Sequence, residues 1–214
     1  DDLAAAVVKA LVERAGIDPS TIEDLVLGCA FPEGEQGLNI ARNIVFLAGL
    51  PNDVAGTTIN RFCGSSMQAI HTAAGSIALG AGEAFLCVGI ESMTRIPMPG
   101  FNPMLNPKLV DAGHAAYMGM GETAENLAKK YDIPRNKQDA FAVESHKRAA
   151  AAQAAGNFSD EIVGIKTREG MVDQDGCIRP DTTIEILGDL KPAFDQDGSV
   201  TAGTSSPLTD GAAA

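Results

Sequence analysis

An α/β layered fold carrying a largely helical insertion is what this sequence predicts, and three observations predict it. Short apolar runs alternate with helix-period segments through the first 92 residues. At Met93 the composition turns to proline, glycine and asparagine, and two long helical patterns follow. The chain is 45% hydrophobic, 21% charged and 5% aromatic over 214 residues, enough apolar material for a substantial core.

Taken in order, residues 2–15 place Leu3, Val7, Ala10, Leu11 and Val12 at helical spacing, with Asp1 or Asp2 to cap the start and Gly16 to stop it. The run "DLVLGCA" (24–30) reads as a buried strand that contains Cys29. A helix over "NIARNIVFLAG" follows, with Asn39 as its cap and Gly49–Leu50–Pro51 closing it. "VAGTTIN" (54–60) reads as a strand. Residues 65–79, small and apolar, predict a helix buried on several sides, and "EAFLCVGIES" (83–92) predicts an interior strand carrying Cys87. Prolines 97, 99, 103 and 107 make 94–113 a loop. Helices are expected over 121–131 and from about 136 to 155, the second with Phe141, Val143 and the run of alanines from 149 on one packed stripe. "EIVGIKT" (161–167) predicts a strand. "TTIE" (182–185) has capping-box spacing, with Thr182 as the cap of a short helix. A last strand is expected at 200–203, so that 93–199 reads as an insertion between two strands of one sheet.

The charge balance excludes several functions. With 16 basic and 28 acidic residues the net charge is −12, and no basic run offers a footprint for nucleic acid or an anionic membrane surface. A phosphate-bearing ligand would have to be held by local cations or helix N-termini against that field. No apolar run reads as long enough to span a bilayer, and none of these residues reads as a signal peptide. The four cysteines make no C-x-x-C pair and the three histidines are scattered, so no zinc site is expected and a reducing, cytosol-like compartment fits. The chain starts without Met and stops in the apolar segment "LTDGAAA", which reads as a piece cut at both ends, with exposed strand edges and apolar surface.

"NRFCGSSMQ" (60–68) sets Cys63 at the seam between the strand at 54–60 and the helix from 65. Such a residue projects beyond the end of a strand into a crevice. The helix start supplies unpaired N–H groups and about half a positive charge, an environment that favours a thiolate and can receive an oxyanion. Gly64, Ser65 and Ser66 leave room for a carbonyl to approach. The plainer reading is a small buried filler cysteine; packing is the expectation for Cys29 and Cys87, and Cys177 reads as a loop thiol. A thiol nucleophile wants a neighbouring base. His71 stands about 12 Å further along the helix axis, His146 reads as solvated, and His114 is left as the one local candidate.

"NRFCGSSMQAI" resembles the nucleophile motif of thiolases, the enzymes that cleave or make 3-oxoacyl-CoA. "MGETAENLA", "RNKQDAFAVESHKRAAAAQ", "LKPAFD" and "VTAGTSSPLTDGAAA" resemble the same family in the same order. The resemblance implies a layered α/β half, with a mixed sheet and helices on both faces. It assigns 1–92 and 200–214 to an N-terminal half incomplete at both ends, and 93–199 to a loop domain that covers coenzyme A. The C-terminal half, with its Gly-His-Pro histidine and second cysteine, would be absent. It also implies that Cys63 is acylated, that Arg179, Leu187 and Phe194 line the CoA site, and that Met120, Ser206 and Ala202 line the pantetheine and acyl channel.

The implied reaction is acyl transfer in fatty-acid β-oxidation, with CoA as co-substrate, acyl-CoA as substrate and no tightly bound cofactor or metal. A cytoplasmic homodimer or dimer of dimers, and a β-oxidation multienzyme partner, follow from the resemblance alone. "CGSS" and "TSSP", where makers of acetoacetyl-CoA resemble "CGSG" and "NASG", and Gly119 where a histidine often precedes Met-Gly, are similar to the degradative branch. The alternatives are the biosynthetic branch, a decarboxylating condensing enzyme, a cysteine hydrolase, and a non-catalytic acyl-CoA-binding protein. The missing half would carry the base, so this polypeptide alone is expected to be inactive.

Overall fold

The structure, a computed structural model, describes residues 1–113 and 115–214. It divides into a sheet unit (Asp1–Pro103, Val163–Val172, Leu208–Ala214) and a helical unit (Met104–Ile162, Asp173–Pro207). In chain order the elements are α1 (Asp2–Ala15), β1 (Ile22–Gly28), α2 (Ile40–Leu47), β2 (Ala55–Ile59), α3 (Ser65–Ala78), β3 (Ala84–Glu91), α4 (Pro107–Asp111), α5 (Met120–Lys130), α6 (Arg135–Ala154), β4 (Ile165–Lys166), β5 (Met171–Val172), α7 (Ile184–Gly188) and β6 (Gly211–Ala213).

In the sheet unit the main sheet has, among the described residues, four strands in the order β2-β1-β3-β6. β1 pairs in parallel with both β2 and β3, and β6 runs antiparallel to β3. The sheet is therefore mixed, as the resemblance implies. Side chains alternate across β1 and β3. Leu25, Leu27, Leu86 and Val88 join Val8 of α1 and Ile40, Ile44 and Val45 of α2 in one buried cluster. Each such aliphatic side chain contributes roughly 1.5–3 kcal/mol on burial. Gly28 and Gly89 face the other way, toward α3. α1 is held as the sequence predicts: the Asp1 carboxylate accepts the Asp2 N–H, and Gly16 ends the helix at φ 62°. Asn39 sits at the α2 N-cap, but its side chain does not cap. Its Nδ2 donates to the Gly56 carbonyl, and Thr58 of β2 accepts the Ala41 N–H instead.

In the helical unit α5 presents the buried Glu125, whose carboxylate accepts the N–H groups of Ser199 and Val200 at 2.9 and 2.7 Å. Arg135 at the start of α6 pairs with the buried Asp139 at 2.9 Å and donates to the carbonyls of Leu187 and Leu190, docking α7 on α6.

Several expectations are corrected. Residues 93–103 belong to the sheet unit, because Ile96 is buried and the Phe101 N–H donates to Glu33. Residues 200–207 belong to the helical unit, anchored through Glu125. The strand expected at 200–203 is a single Pro192–Thr201 bridge followed by a 3-10 turn. There Thr201 N–H donates to Thr204 Oγ1 and Thr204 N–H to the Thr201 carbonyl, so the backbone is satisfied locally. The strand that closes the sheet is β6. The strand expected at 161–167 contracts to β4, hairpinned with β5. A short helix, α4, interrupts the expected 94–113 loop, capped by Asn106. Thr183, not Thr182, caps α7, through the Ile186 N–H. Phe141 is 79% exposed and lies off the covered stripe of α6, which runs through Asp139, Val143, His146, Ala149 and Ala150. α3 buries only Ser65, Ala69 and Ala73 and leaves Met67, Ile70 and Ile77 exposed; one side of it, not several, is covered.

Candidate active site

The carboxyl ends of the parallel strands lie level, with Gly28 opposite both Ile59 and Gly89. Crevices for ligands form beyond that edge in parallel α/β sheets. Cys63 stands there, exposed, four residues beyond the end of β2 and two before α3. Two side chains shape its loop. Asn60 Oδ1 accepts the Phe62 N–H at 2.8 Å, an Asx turn, while its Nδ2 donates to the Ala30 carbonyl at 2.9 Å. Ser65 Oγ accepts the Arg61 N–H at 2.8 Å and donates back to the Phe62 carbonyl. Between them Phe62 takes the left-handed conformation at φ 46°, which a bulky residue rarely adopts. The loop thus over-determines the residue that precedes Cys63. Gly64 is the N-cap and offers no side-chain cap; the Gly64 and Ser65 N–H groups donate to the Arg61 and Phe62 carbonyls, and the partial positive charge of the helix start lies immediately after Cys63.

The small residues after Cys63 have a different use from the one expected. Ser65 is buried and closes the loop; Ser66 lies against the sheet at Gly28 and Gly89. Cβ atoms at those two glycines would stand 2.4 Å from the Ser65 carbonyl carbon and 2.1 Å from Ser66 Oγ. The glycines therefore let α3 descend onto β1 and β3 and fix where the helix starts. Sequence reasoning missed them, along with Asn60; an Asn two residues before a strand-end aromatic was a readable Asx-turn signal.

Behind the loop lies a polar cluster. Glu91, at the end of β3, accepts the N–H groups of Ala30 (2.8 Å) and Phe31 (3.2 Å), the Gln36 amide (2.9 Å) and the Cys29 thiol (3.6 Å). Gln36 is fully buried; it also donates to the Phe31 carbonyl and accepts the Ser92 N–H. Cys29 is 1% exposed, as packing predicts. Burial first, and the Glu91 charge second, push its thiol up from the ordinary 9.0 to about 12. A raised folded value means that unfolding releases a proton between those limits. Stability is whole below pH 9 and falls as pH climbs toward 12. In chemical denaturation from pH 8 to 11, Cys29→Ala is expected to lose stability less steeply than the wild type. The difference is at most about 1.4 kcal/mol per pH unit, the value for one whole proton.

Among the described residues no side chain hydrogen-bonds the Cys63 sulfur. His71 is exposed on α3. His146, expected to be solvated, is half-buried because its Nδ1 accepts the Arg179 N–H at 3.1 Å. His114 lies outside the described residues. The other sequence-predicted residues fall in the helical unit. Arg179, Met120, Ala202 and Ser206 are exposed. Phe194 is half-exposed with its ring over Gly121, where a Cβ would lie 2.1 Å from Cδ1. Leu187 is 4% exposed, packed beside Gly203. Among the described residues no group of three His, Cys, Asp or Glu could hold a metal, and no helix is long and apolar enough to cross a membrane.

A mixed α/β sheet with an exposed cysteine at the open end of a strand-to-helix junction defines the class: an α/β protein that presents a free thiol beyond the carboxyl ends of its parallel strands. The chain belongs to the thiolase family, matching its N-terminal domain over residues 1–214. It is 48% identical over 227 residues to a 3-ketoacyl-CoA thiolase of Bacillus subtilis (strain 168), covering 100% of this chain and 58% of that protein. It is 49% identical over 221 residues to one of Acinetobacter baumannii (strain AYE), covering 100% of this chain and 56% of that protein. The human mitochondrial 3-ketoacyl-CoA thiolase solved in complex with CoA superposes with a TM-score of 0.85 at 32% identity, covering 98% of this chain and 56% of that one. The chain therefore spans little more than half the length of these relatives.

Proposed function

We infer that the full-length protein is an acyltransferase that cleaves 3-oxoacyl-CoA by thiolysis, with Cys63 as the nucleophile. The single observation that carries this reading is the exposed Cys63 thiol at the uncapped start of α3, beyond the carboxyl ends of the parallel strands. The Cys63 thiolate adds to the 3-oxo carbon, and the tetrahedral oxyanion collapses with breakage of the C2–C3 bond. The C2 carbanion takes a proton and leaves as acetyl-CoA. Free CoA thiol then gives its proton to a base, its sulfur attacks the Cys63 thioester, and the shortened acyl-CoA departs as the thiolate is restored.

This reading takes the base and the proton donor from outside these 214 residues, a proposal that fits a chain spanning 56–58% of these relatives' length. CoA enters as co-substrate. Arg179 meets its adenine or phosphate end as a local cation against the overall negative charge, Phe194, Met120, Ala202 and Ser206 line the rest, and the buried Leu187 shapes the site from beneath. The relatives' names support the thiolytic reading over the biosynthetic or purely binding alternatives. The same reading carries fatty-acid breakdown, a cytoplasmic location, a homodimer or dimer of dimers and a multienzyme partner.

The test is mass spectrometry of the full-length protein incubated with a 3-oxoacyl-CoA. One acyl adduct on Cys63, removed by free CoA, is the expected result. An adduct elsewhere, or turnover without one, overturns the reading.

A further inference from the structure

Thiolysis at Cys63 makes no direct use of the polar cluster around Glu91, yet that cluster reaches the Cys63 loop by two routes. Ala30 gives its N–H to Glu91 and its carbonyl to Asn60, whose other end accepts the Phe62 N–H. Phe31 gives its N–H to Glu91, and its ring meets that of Phe62 at a centroid distance of 6.0 Å. Both routes end on the left-handed residue immediately before Cys63.

We propose that Glu91 is a positioning residue for the nucleophile: its carboxylate fixes Ala30 and Phe31, and through Asn60 and the Phe62 ring these set the strained turn that presents Cys63. A residue at φ 46° with an aromatic side chain keeps that conformation only where its surroundings impose it. Four donors converge on Glu91, from the Ala30 and Phe31 amides, Gln36 and Cys29. A carboxylate, which only accepts, satisfies them all. An amide at 91 turns one acceptor into a donor aimed at another donor, whichever way it is flipped. Gln36, buried and tied also to the Phe31 carbonyl and the Ser92 N–H, locks the carboxylate from behind. The nucleophile is thus held from the sheet side by a charge that need not touch substrate, a support of the kind a covalent site requires.

This inference rests on the thiolytic reading, and its test separates the two. Full-length protein carrying Glu91→Gln, Asn60→Ala or, as a remote control, Val8→Ala in the α1 core is mixed rapidly with a 3-oxoacyl-CoA. Acylation of Cys63 is then timed by mass spectrometry, per folded site. Glu91→Gln and Asn60→Ala are expected to acylate roughly ten- to a hundredfold more slowly, the penalty of a displaced reacting group, while CoA affinity changes less than about twofold. Val8→Ala is expected to lower Tm and leave the rate per folded site unchanged. A wild-type rate in Glu91→Gln, or equal slowing in Val8→Ala, overturns the inference. Should Glu91→Gln not fold, Asn60→Ala at its exposed position decides alone. If the wild type forms no adduct, the thiolytic reading fails, and the inference is read from iodoacetamide alkylation of Cys63. Both site variants are then expected to change that rate at least about threefold with Val8→Ala unchanged, and no change overturns it.

Discussion

Replacing Cys63 by serine in the full-length protein is expected to lower thiolytic kcat/KM by at least about a thousandfold, the scale on which covalent nucleophiles are lost. The hydroxyl occupies almost the same volume, so the effect isolates chemistry from shape. A serine depends wholly on a neighbouring base to become nucleophilic, whereas a cysteine is partly ionised near neutral pH and intrinsically reactive. Because Cys63 is exposed, the same change is expected to alter stability by less than about 0.5 kcal/mol. CoA should bind the variant with unchanged affinity, since the groups proposed to hold it lie elsewhere in the chain. The check is steady-state kinetics beside calorimetric titration of CoA. Retention of more than a tenth of wild-type turnover would show that the reaction does not pass through sulfur at this position.

How far the sequence alone reached can be judged residue by residue. The strand-helix-strand alternation was legible because buried parallel strands read as continuous apolar runs and α1 and α2 carry a clear helical period. Cys63 stood out because glycine and serine flank it at a change of period. What the sequence hid was long-range. Nothing local marks Glu91 as the partner of Ala30 and Phe31, some 60 residues earlier in the chain, or Glu125 as the anchor of Ser199 and Val200. Those pairings decide that the stretch 200–203 is a turn in the helical unit, and propensity cannot see them. α3 misled for a related reason: a run of alanine, glycine and isoleucine suggests burial on several sides, yet only Ser65, Ala69 and Ala73 are covered. The solvation expected of His146 failed because a single backbone N–H, that of Arg179, draws it in.

Gly28→Ala is expected to be a strongly damaging single-methyl change in the sheet unit, and its mechanism can be told apart from that of Gly89→Ala. At Gly28 the new Cβ would lie 2.4 Å from the Ser65 carbonyl carbon and 2.5 Å from the Ser66 nitrogen, both backbone atoms of the first turn of α3. Backbone cannot rotate away, so the helix start must lift off β1. Overpacking of this kind costs roughly 1–3 kcal/mol, and more where nothing yields. The lifted turn carries Cys63 with it, and a shift of about 1 Å at a reacting group can cost a hundredfold in rate. At Gly89 the nearest atom is Ser66 Oγ at 2.1 Å and the next is Ser66 Cβ at 3.3 Å, so there the obstruction is one hydroxyl. Ser66→Ala should therefore rescue Gly89→Ala and leave Gly28→Ala as it was. A double-mutant cycle in urea denaturation reads this directly, with a coupling of about 1 kcal/mol or more for the 66–89 pair and within about 0.5 kcal/mol of zero for the 28–66 pair. If Gly28→Ala unfolds within about 0.5 kcal/mol of the wild type and acylates Cys63 at the same rate, the descent of α3 onto the two glycines is not what aims Cys63.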